Sequence, residues 1–238
     1  MESALVFFYD FSIFIVGLYI LYIGIGKRPE WSSSVEGVHM AGGVDRVSIG
    51  ARWISNLANP LVLVAGVFVL VIFQGPDASG IDPAPLLGVC LFFGVFLPVA
   101  YVGFLLHKGV IEEVFIAHMT DRKGPLWVLV LSCSVGVGML YGLKAPFGVL
   151  VVMMWYTGLA VLAGVMLFWW KISLHAIGAW GTLGVLFFLF GLPALAYLPL
   201  ALAISWSRIA LGVHTTGQVL GGAGLALLSA GFVFGVLL

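Results

Sequence analysis

Long apolar runs alternate with short polar stretches along the chain. About 20 apolar residues at a rise of 1.5 Å each cross a hydrocarbon core of roughly 30 Å, so the longer runs predict transmembrane helices. The pattern predicts eight spans, with seven as the alternative, because the sixth and seventh runs are each shorter than a bilayer crossing. The runs cover residues 4–24, 59–74, 85–107, 126–143, 147–170, 176–191, 194–206 and 216–238.

Two polar stretches between the runs have the composition of interfacial segments. Residues 27–56 carry seven of the 20 charged side chains together with Trp31 and Trp53, and Trp favours the headgroup level of a bilayer. Residues 108–125 would form a helix whose apolar side is too short to cross the membrane. We therefore expect amphipathic interfacial segments in both places, and two regions: 1–56, a transmembrane helix with a polar loop, and 57–238, a transmembrane helical domain.

The composition agrees with an integral membrane protein. Hydrophobic residues make up 62% of the 238 residues, charged residues 8%, and the formal net charge is zero. The predicted fold class is all-α, a polytopic transmembrane helix bundle. Its expected partners are membrane lipids, with no nucleic acid.

The densest polar cluster within this apolar chain lies in residues 207–222, SRIALGVHTTGQVLGG. Burying Arg208, His214 and Gln218 at or near the depth of a bilayer costs several kcal/mol unless they pair or function. If the segment is helical, His214 and Gln218 lie four apart on one face, so the Gln amide reaches an imidazole nitrogen. These residues are therefore the first candidates for a functional site.

The same residues resemble a known signature. Ser207-Arg208, five further residues and then His214 are similar to the third motif of the type 2 phosphatidic acid phosphatase superfamily. Membrane members of that superfamily remove phosphate from lipid phosphates. Gly212, two residues before the His, also agrees with the motif. The chain departs from it at Gln218, where the best-known members carry Asp.

Two further clusters resemble the remaining signatures. Ser173 and His175 match two positions of the second signature, Pro-Ser-Gly-His, while Ile172 and Leu174 depart from it. Arg122 and Lys123, in the sequence DRKGP, stand where the family has its first, basic signature. The order of the three clusters matches the family. Alternating spans would bring all three to one membrane face, and the resemblance covers about residues 55–224.

The resemblance implies a metal-independent phosphatase with no cofactor, acting on a lipid or isoprenoid phosphate or diphosphate. In the implied mechanism His214 attacks phosphorus to form a phosphohistidine, and His175 protonates the leaving oxygen. Gln218 would orient the nucleophile, as an amide that fixes the imidazole tautomer without adding negative charge. The residues that would hold the phosphate are Arg208, Ser173, Arg122 and Lys123.

Other functions stay open at this point. Without the family's carboxylate, the chain could be an inactive binding or structural subunit of a membrane complex, and it could form a homo-oligomer. Arg and His inside a membrane are also typical of anion transporters. Taken singly, Arg208 could be an interfacial anchor, and His214 with Gln218 a satisfied intramembrane hydrogen bond.

Basic residues predict the orientation. If the spans alternate, the loops after the odd-numbered spans hold five basic residues besides Arg122, Lys123, Lys171 and Arg208, and the other side holds only Lys144. By the positive-inside rule, the side that carries the candidate site faces the cytoplasm.

Overall fold

The regular segments of the described residues are all helical, as predicted. The computed structural model describes residues 46–75, 82–111 and 123–237. The helices of these residues are α1 Arg46–Leu57, α2 Pro60–Gln74, α3 Pro83–Leu91, α4 Leu97–His107, α5 Lys123–Gly142, α6 Phe147–Met166, α7 Leu174–Phe190, α8 Leu198–Ala210 and α9 Thr216–Leu237. A π-helical turn, Phe92–Phe96, joins α3 to α4, and a 3₁₀ segment, Leu192–Tyr197, leads into α8.

Among the described residues, five helical segments are long and apolar enough to span a membrane, by length and composition. A sixth candidate span results if α1 and α2, which meet at an angle of 45°, form one broken span. Helix α7 is apolar but shorter than the five segments that qualify. The eight predicted spans are therefore not confirmed, and the first of them, residues 4–24, lies outside the described residues. The five segments are Pro83–His107, Gly124–Gly142, Phe147–Met166, Leu192–Ala210 and Thr216–Val236.

A short polar residue followed by proline begins both α2 and α3. The Asn59 side chain accepts a hydrogen bond from the Leu61 amide, at 3.0 Å, directly before Pro60. Proline suits the first turn of a helix because its missing N–H would have no helical partner there. Helix α2 therefore begins at the residue pair that was predicted to open the second span.

The segment predicted as a short span at 194–206 is longer in the structure. Gly191 ends α7 with a φ of 71°, and the next helical segment begins at Leu192 and continues to Ala210. Ser207 is helical, and its hydroxyl donates to the Ile204 carbonyl in its own helix, at 2.7 Å. The polar residues at the end of α8 thus belong to a helical segment that is long and apolar enough to span a membrane.

Helix α7 lies at the centre of the bundle, in contact with α2, α8 and α9. Its glycines permit this close packing. A Cβ at Gly184 would lie 2.9 Å from the Ala230 Cβ of α9, and a Cβ at Gly178 would lie 2.9 Å from Pro60 of α2. Small residues at helix contacts are typical of membrane bundles. The first part of α7 is consequently held against the start of α2, and its middle against the second half of α9.

Helix α1 corresponds to the end of the polar stretch predicted to lie along the interface. It packs against α8, and Ala51 and Ser55 are buried. This part of the stretch therefore contacts the bundle itself. The rest of residues 27–56, and most of the interfacial helix predicted in 108–125, lie outside the described residues.

Candidate functional site

A tight turn between α8 and α9 brings Arg208 and His214 together. Gly212 adopts a φ of 65°, in the left-handed region that favours glycine. The chain then returns toward α8, and the His214 amide donates to the Arg208 carbonyl oxygen at 3.3 Å. The spacing of the polar cluster therefore has a structural cause, since Gly212 reverses the chain between the cation and the imidazole.

The side chain of Gln218 fixes the tautomer of His214. Gln218 Oε1 lies 3.0 Å from His214 Nδ1 and accepts a hydrogen bond from the Thr215 amide at 3.2 Å. A backbone N–H can only donate, so the atom facing both groups is the amide oxygen and Nδ1 must carry the proton. The unprotonated ring nitrogen of a neutral His214 is then Nε2. The predicted contact between His214 and Gln218 is confirmed.

Arg208 is buried at the end of α8, with 7% of its surface exposed. Its Nη1 atom donates a hydrogen bond to the hydroxyl of Ser55 on α1, which is also buried. Ser55 is absent from the predicted site because a neutral serine in a polar stretch gives no charge or spacing signal. The contact holds the guanidinium in place from a part of the chain outside the three predicted clusters.

The start of α7 carries Ser173 and His175. The Ser173 hydroxyl accepts from the Ala176 amide at 3.4 Å, as an N-cap, and the Ser173 amide donates to the Gln218 carbonyl at 3.3 Å. Ser173 is fully buried. The backbone bond ties the start of α7 to the start of α9, and so ties the two segments that carry the histidines.

The three residues His175, Arg208 and His214 lie on the wall of one cavity of about 250 Å³. Asn59 is a further polar residue of the wall. Gln218 contacts His214 but is not itself a wall residue. Ser173 is not among the wall residues and its hydroxyl caps α7, so its placement does not support the predicted phosphate contact. The wall is otherwise largely apolar and includes Val64, Phe68, Pro98, Val102, Leu126, Leu129, Leu159, Ala160, Ala163 and Ile177.

Of the predicted basic pair, only the backbone of Lys123, the first residue of α5, lies within the described residues. Arg122 and the Lys123 side chain lie outside them. Pro125 and Leu126, directly after the pair, line the cavity. The backbone at Lys123 therefore lies next to the cavity wall, and the phosphate-binding roles of both residues stay predictions.

The described residues around the cavity bring positive charge to it. Helices α2, α5 and α7 all begin at its wall, and helix N-termini carry a partial positive charge. Buried Arg208 adds a full charge. Within residues 46–75, 82–111 and 123–237 the only carboxylate side chain is that of Asp82, which caps α3. The path along the helix from Asp82 to the wall residue Gly94 is about 18 Å.

Exposed tryptophans surround this end of the bundle. Trp53 precedes Ser55 on α1, Trp206 precedes Arg208 on α8, and Trp169 lies in the loop before α7, with 64%, 46% and 78% of their surfaces exposed. Trp rings favour the boundary between headgroups and acyl chains. Their positions are those expected if the polar end of the cavity lies at headgroup level.

In the described part of the chain, no group of three or more His, Cys, Asp or Glu side chains is arranged to hold a metal ion. The arrangement there, two histidines and a buried arginine at one end of an apolar cavity, suits a phosphate ester with an apolar tail. Comparisons with known proteins give no relative: no family model, curated protein or solved structure matches the chain.

Proposed function

We propose that the protein is a membrane-embedded phosphatase that removes phosphate from a lipid or isoprenoid phosphate or diphosphate through a phosphohistidine. The observation that carries this proposal is that His175, Arg208 and His214 share one wall of a cavity that is otherwise largely apolar. A phosphate group and an apolar tail need these two environments side by side. The similarity of the three motifs to type 2 phosphatidic acid phosphatases supports the same conclusion.

Binding of the substrate uses charge at one end of the cavity and apolar contact along the rest. The phosphate meets the Arg208 guanidinium, whose planar fork matches two phosphate oxygens. The N-termini of α2, α5 and α7 add favourable dipoles at the same end. The tail lies against apolar residues such as Val64 and Leu129. Positioning and electrostatic stabilisation are the main needs of phosphoryl transfer.

The proposed reaction has two steps. His214 Nε2 attacks phosphorus, a nitrogen–phosphorus bond forms, and the phosphorus–oxygen bond to the lipid breaks while protonated His175 gives its proton to the leaving oxygen. Water then attacks the phosphohistidine, His175 takes a proton from that water, and phosphate leaves with His214 restored. Gln218 keeps the proton on Nδ1 throughout, so Nε2 is the nucleophile in each cycle.

A second candidate is a binding or structural subunit with the same site and no turnover. One specific observation favours it. Gln218, the group that contacts His214 Nδ1, is a neutral amide. An amide orients an imidazole but does not stabilise the imidazolium that forms during attack.

The cytoplasmic orientation of the site is likewise a proposal, based on the bias of basic residues.

Phosphate release by purified protein in lipid nanodiscs tests the proposal. We expect release from prenyl diphosphate, prenyl phosphate or phosphatidic acid, no release from glycerol phosphate, retention of activity in chelator, and inhibition by vanadate, which mimics the in-line transition state. His107→Ala is a matched control, because His107 is exposed and lies off the cavity wall. If the folded wild type releases phosphate from no lipid phosphate, the subunit candidate replaces the enzyme.

A further inference from the structure

The cavity extends from its polar end along four helices, and it has a definite depth. The path along α2 from Asn59 to Phe68 is about 13 Å, and the path along α5 from Pro125 to Cys133 is about 12 Å, at 1.5 Å per residue. On each helix, one wall residue lies farthest from the histidines. These four residues are Phe68 on α2, Gly94 in the π-helical turn, Cys133 on α5 and Tyr156 on α6.

These four residues, which we name the cavity floor, are neighbours of one another. A Cβ at Gly94 would lie 3.2 Å from the Phe68 ring, and the ring centroids of Phe68 and Tyr156 are 5.8 Å apart. The Cys133 sulfur lies 3.9 Å from the carbonyl oxygen of Phe93, the residue before Gly94. No wall residue lies beyond these four on their own helices, so we take them as the end of the cavity.

The π-helical turn Phe92–Phe96 shapes this floor. A π-turn accommodates an extra residue in the helix and displaces a carbonyl group from regular pairing, and such turns are frequent at functional sites. Here the Ser132 hydroxyl donates to the Phe93 carbonyl at 2.6 Å. The turn is thereby fixed to α5, with the smallest residue, Gly94, facing the Phe68 ring across the end of the cavity.

The size of the cavity limits what its apolar part can hold. Its volume of about 250 Å³ lies below the range of roughly 300 to 1,000 Å³ that is typical of pockets for drug-sized ligands. A phosphate group and one apolar chain use this space, and a second chain must lie outside. We propose that the ligand is a phosphate lipid with a single enclosed chain, and that the cavity floor sets the chain length enclosed. This inference rests on the proposed function.

Binding of n-alkyl phosphonates of increasing chain length, measured by calorimetry in nanodiscs, tests the floor without requiring hydrolysis. For the wild type we expect affinity to rise by up to about fourfold per methylene, since each buried methylene contributes roughly 0.8 kcal/mol. The rise should stop once the chain reaches the floor. A two-chain phosphonate should bind no tighter than its single-chain counterpart.

Two variants change the floor in opposite directions. Cys133→Phe fills it, so long chains should bind at least tenfold more weakly than to the wild type, while the shortest chains bind equally. Phe68→Leu opens it, so the affinity should keep rising for longer chains. Leu131→Phe is the matched control, because Leu131 is on the same helix and 67% exposed. The affinity of each variant is divided by that of the wild type for the same ligand, so partition of the ligand into lipid cancels. Thermal unfolding verifies that each variant is folded.

The outcomes separate this inference from the function on which it rests. If binding requires Arg208 but depends on chain length in the same way in the wild type and both floor variants, the inference about the floor is wrong and the phosphatase proposal stands. If the expected profiles appear but no lipid phosphate is hydrolysed, the inference about the floor stands and the phosphatase proposal is wrong. If no phosphonate binds to the wild type, both proposals are wrong.

Discussion

Arg208 on α8 donates a hydrogen bond from Nη1 to the hydroxyl of Ser55 on α1. Both side chains are more than nine-tenths buried. A buried guanidinium needs fixed acceptors to offset its desolvation, and Ser55 provides one on the side of α1. Because Arg208 lies on the cavity wall, the contact makes the end of the polar N-terminal stretch part of the site.

Replacing Ser55 by Ala should weaken binding of the phosphate. We expect the KM for a lipid phosphate and the inhibition constant of vanadate to rise about tenfold, which corresponds to roughly 1.5 kcal/mol for a hydrogen bond to a charged group. The maximal rate should change less. Ser134→Ala is the control, since the exposed Ser134 hydroxyl bonds only to the Val130 carbonyl of its own helix. Equal KM values for the two variants would argue against a role for Ser55.

Introducing a carboxylate at Gln218 should accelerate turnover. Gln218→Glu keeps the side-chain length and sets a negative charge near Nδ1 of His214, where it stabilises the imidazolium that forms during attack. We expect kcat to increase at least tenfold, and Gln218→Asp to increase it if the shorter side chain still reaches. Gln218→Leu should lower kcat because it removes the hydrogen bond that keeps the proton on Nδ1 of His214. A Glu variant slower than the wild type, with an intact fold, would contradict the assigned role.

The turn at Gly212 should be sensitive to any side chain. Gly212 has a φ of 65°, and Cβ at this position would meet no atom within 4 Å, so Gly212→Ala introduces backbone strain without a clash. The expected destabilisation is about 1–2 kcal/mol, with a lower melting temperature and slower turnover. Gly224→Ala in α9 is the control. It also meets open space, and it should be neutral or stabilising because Ala favours helices.

Labelling with an impermeant thiol reagent tests the orientation. Trp169→Cys would place a thiol at the exposed loop on the site's side, and Lys144→Cys would place one in the turn between α5 and α6 on the other side. In intact cells we expect labelling of the Lys144→Cys variant alone, with both labelled after permeabilisation. The native Cys90 and Cys133 are buried. Labelling of Trp169→Cys in intact cells would reverse the proposed orientation.

Much of the helical order could be predicted from the sequence. Apolar runs of near-membrane length, and signals such as Asn59-Pro60, depend on neighbouring residues and bilayer thickness alone. The contact between His214 and Gln218 follows from helical spacing. The length of the segment before Arg208 was less predictable, because Pro193 looks like an interruption and in fact lies in the first turn of a 3₁₀ segment.

Other features of the site depend on tertiary structure. The bond between Ser55 and Arg208 joins residues 153 positions apart, and neither residue carries a local signal for it. Ser173 matches a family motif, yet its hydroxyl serves as an N-cap, a role that many serines fill. The cavity floor arises where four helices meet at a π-turn, which no periodicity in the sequence indicates.

The central claim is that His214 carries the phosphoryl group during turnover. Protein in nanodiscs should be mixed with a prenyl diphosphate labelled in its terminal phosphate, quenched in alkaline denaturant within one turnover, and digested for mass spectrometry. We predict label on the peptide that contains His214, none in His214→Ala, and accumulation in His175→Ala when an activated ester with a good leaving group replaces the diphosphate. Phosphate release at the wild-type rate by His214→Ala, or label on another residue, would contradict the account.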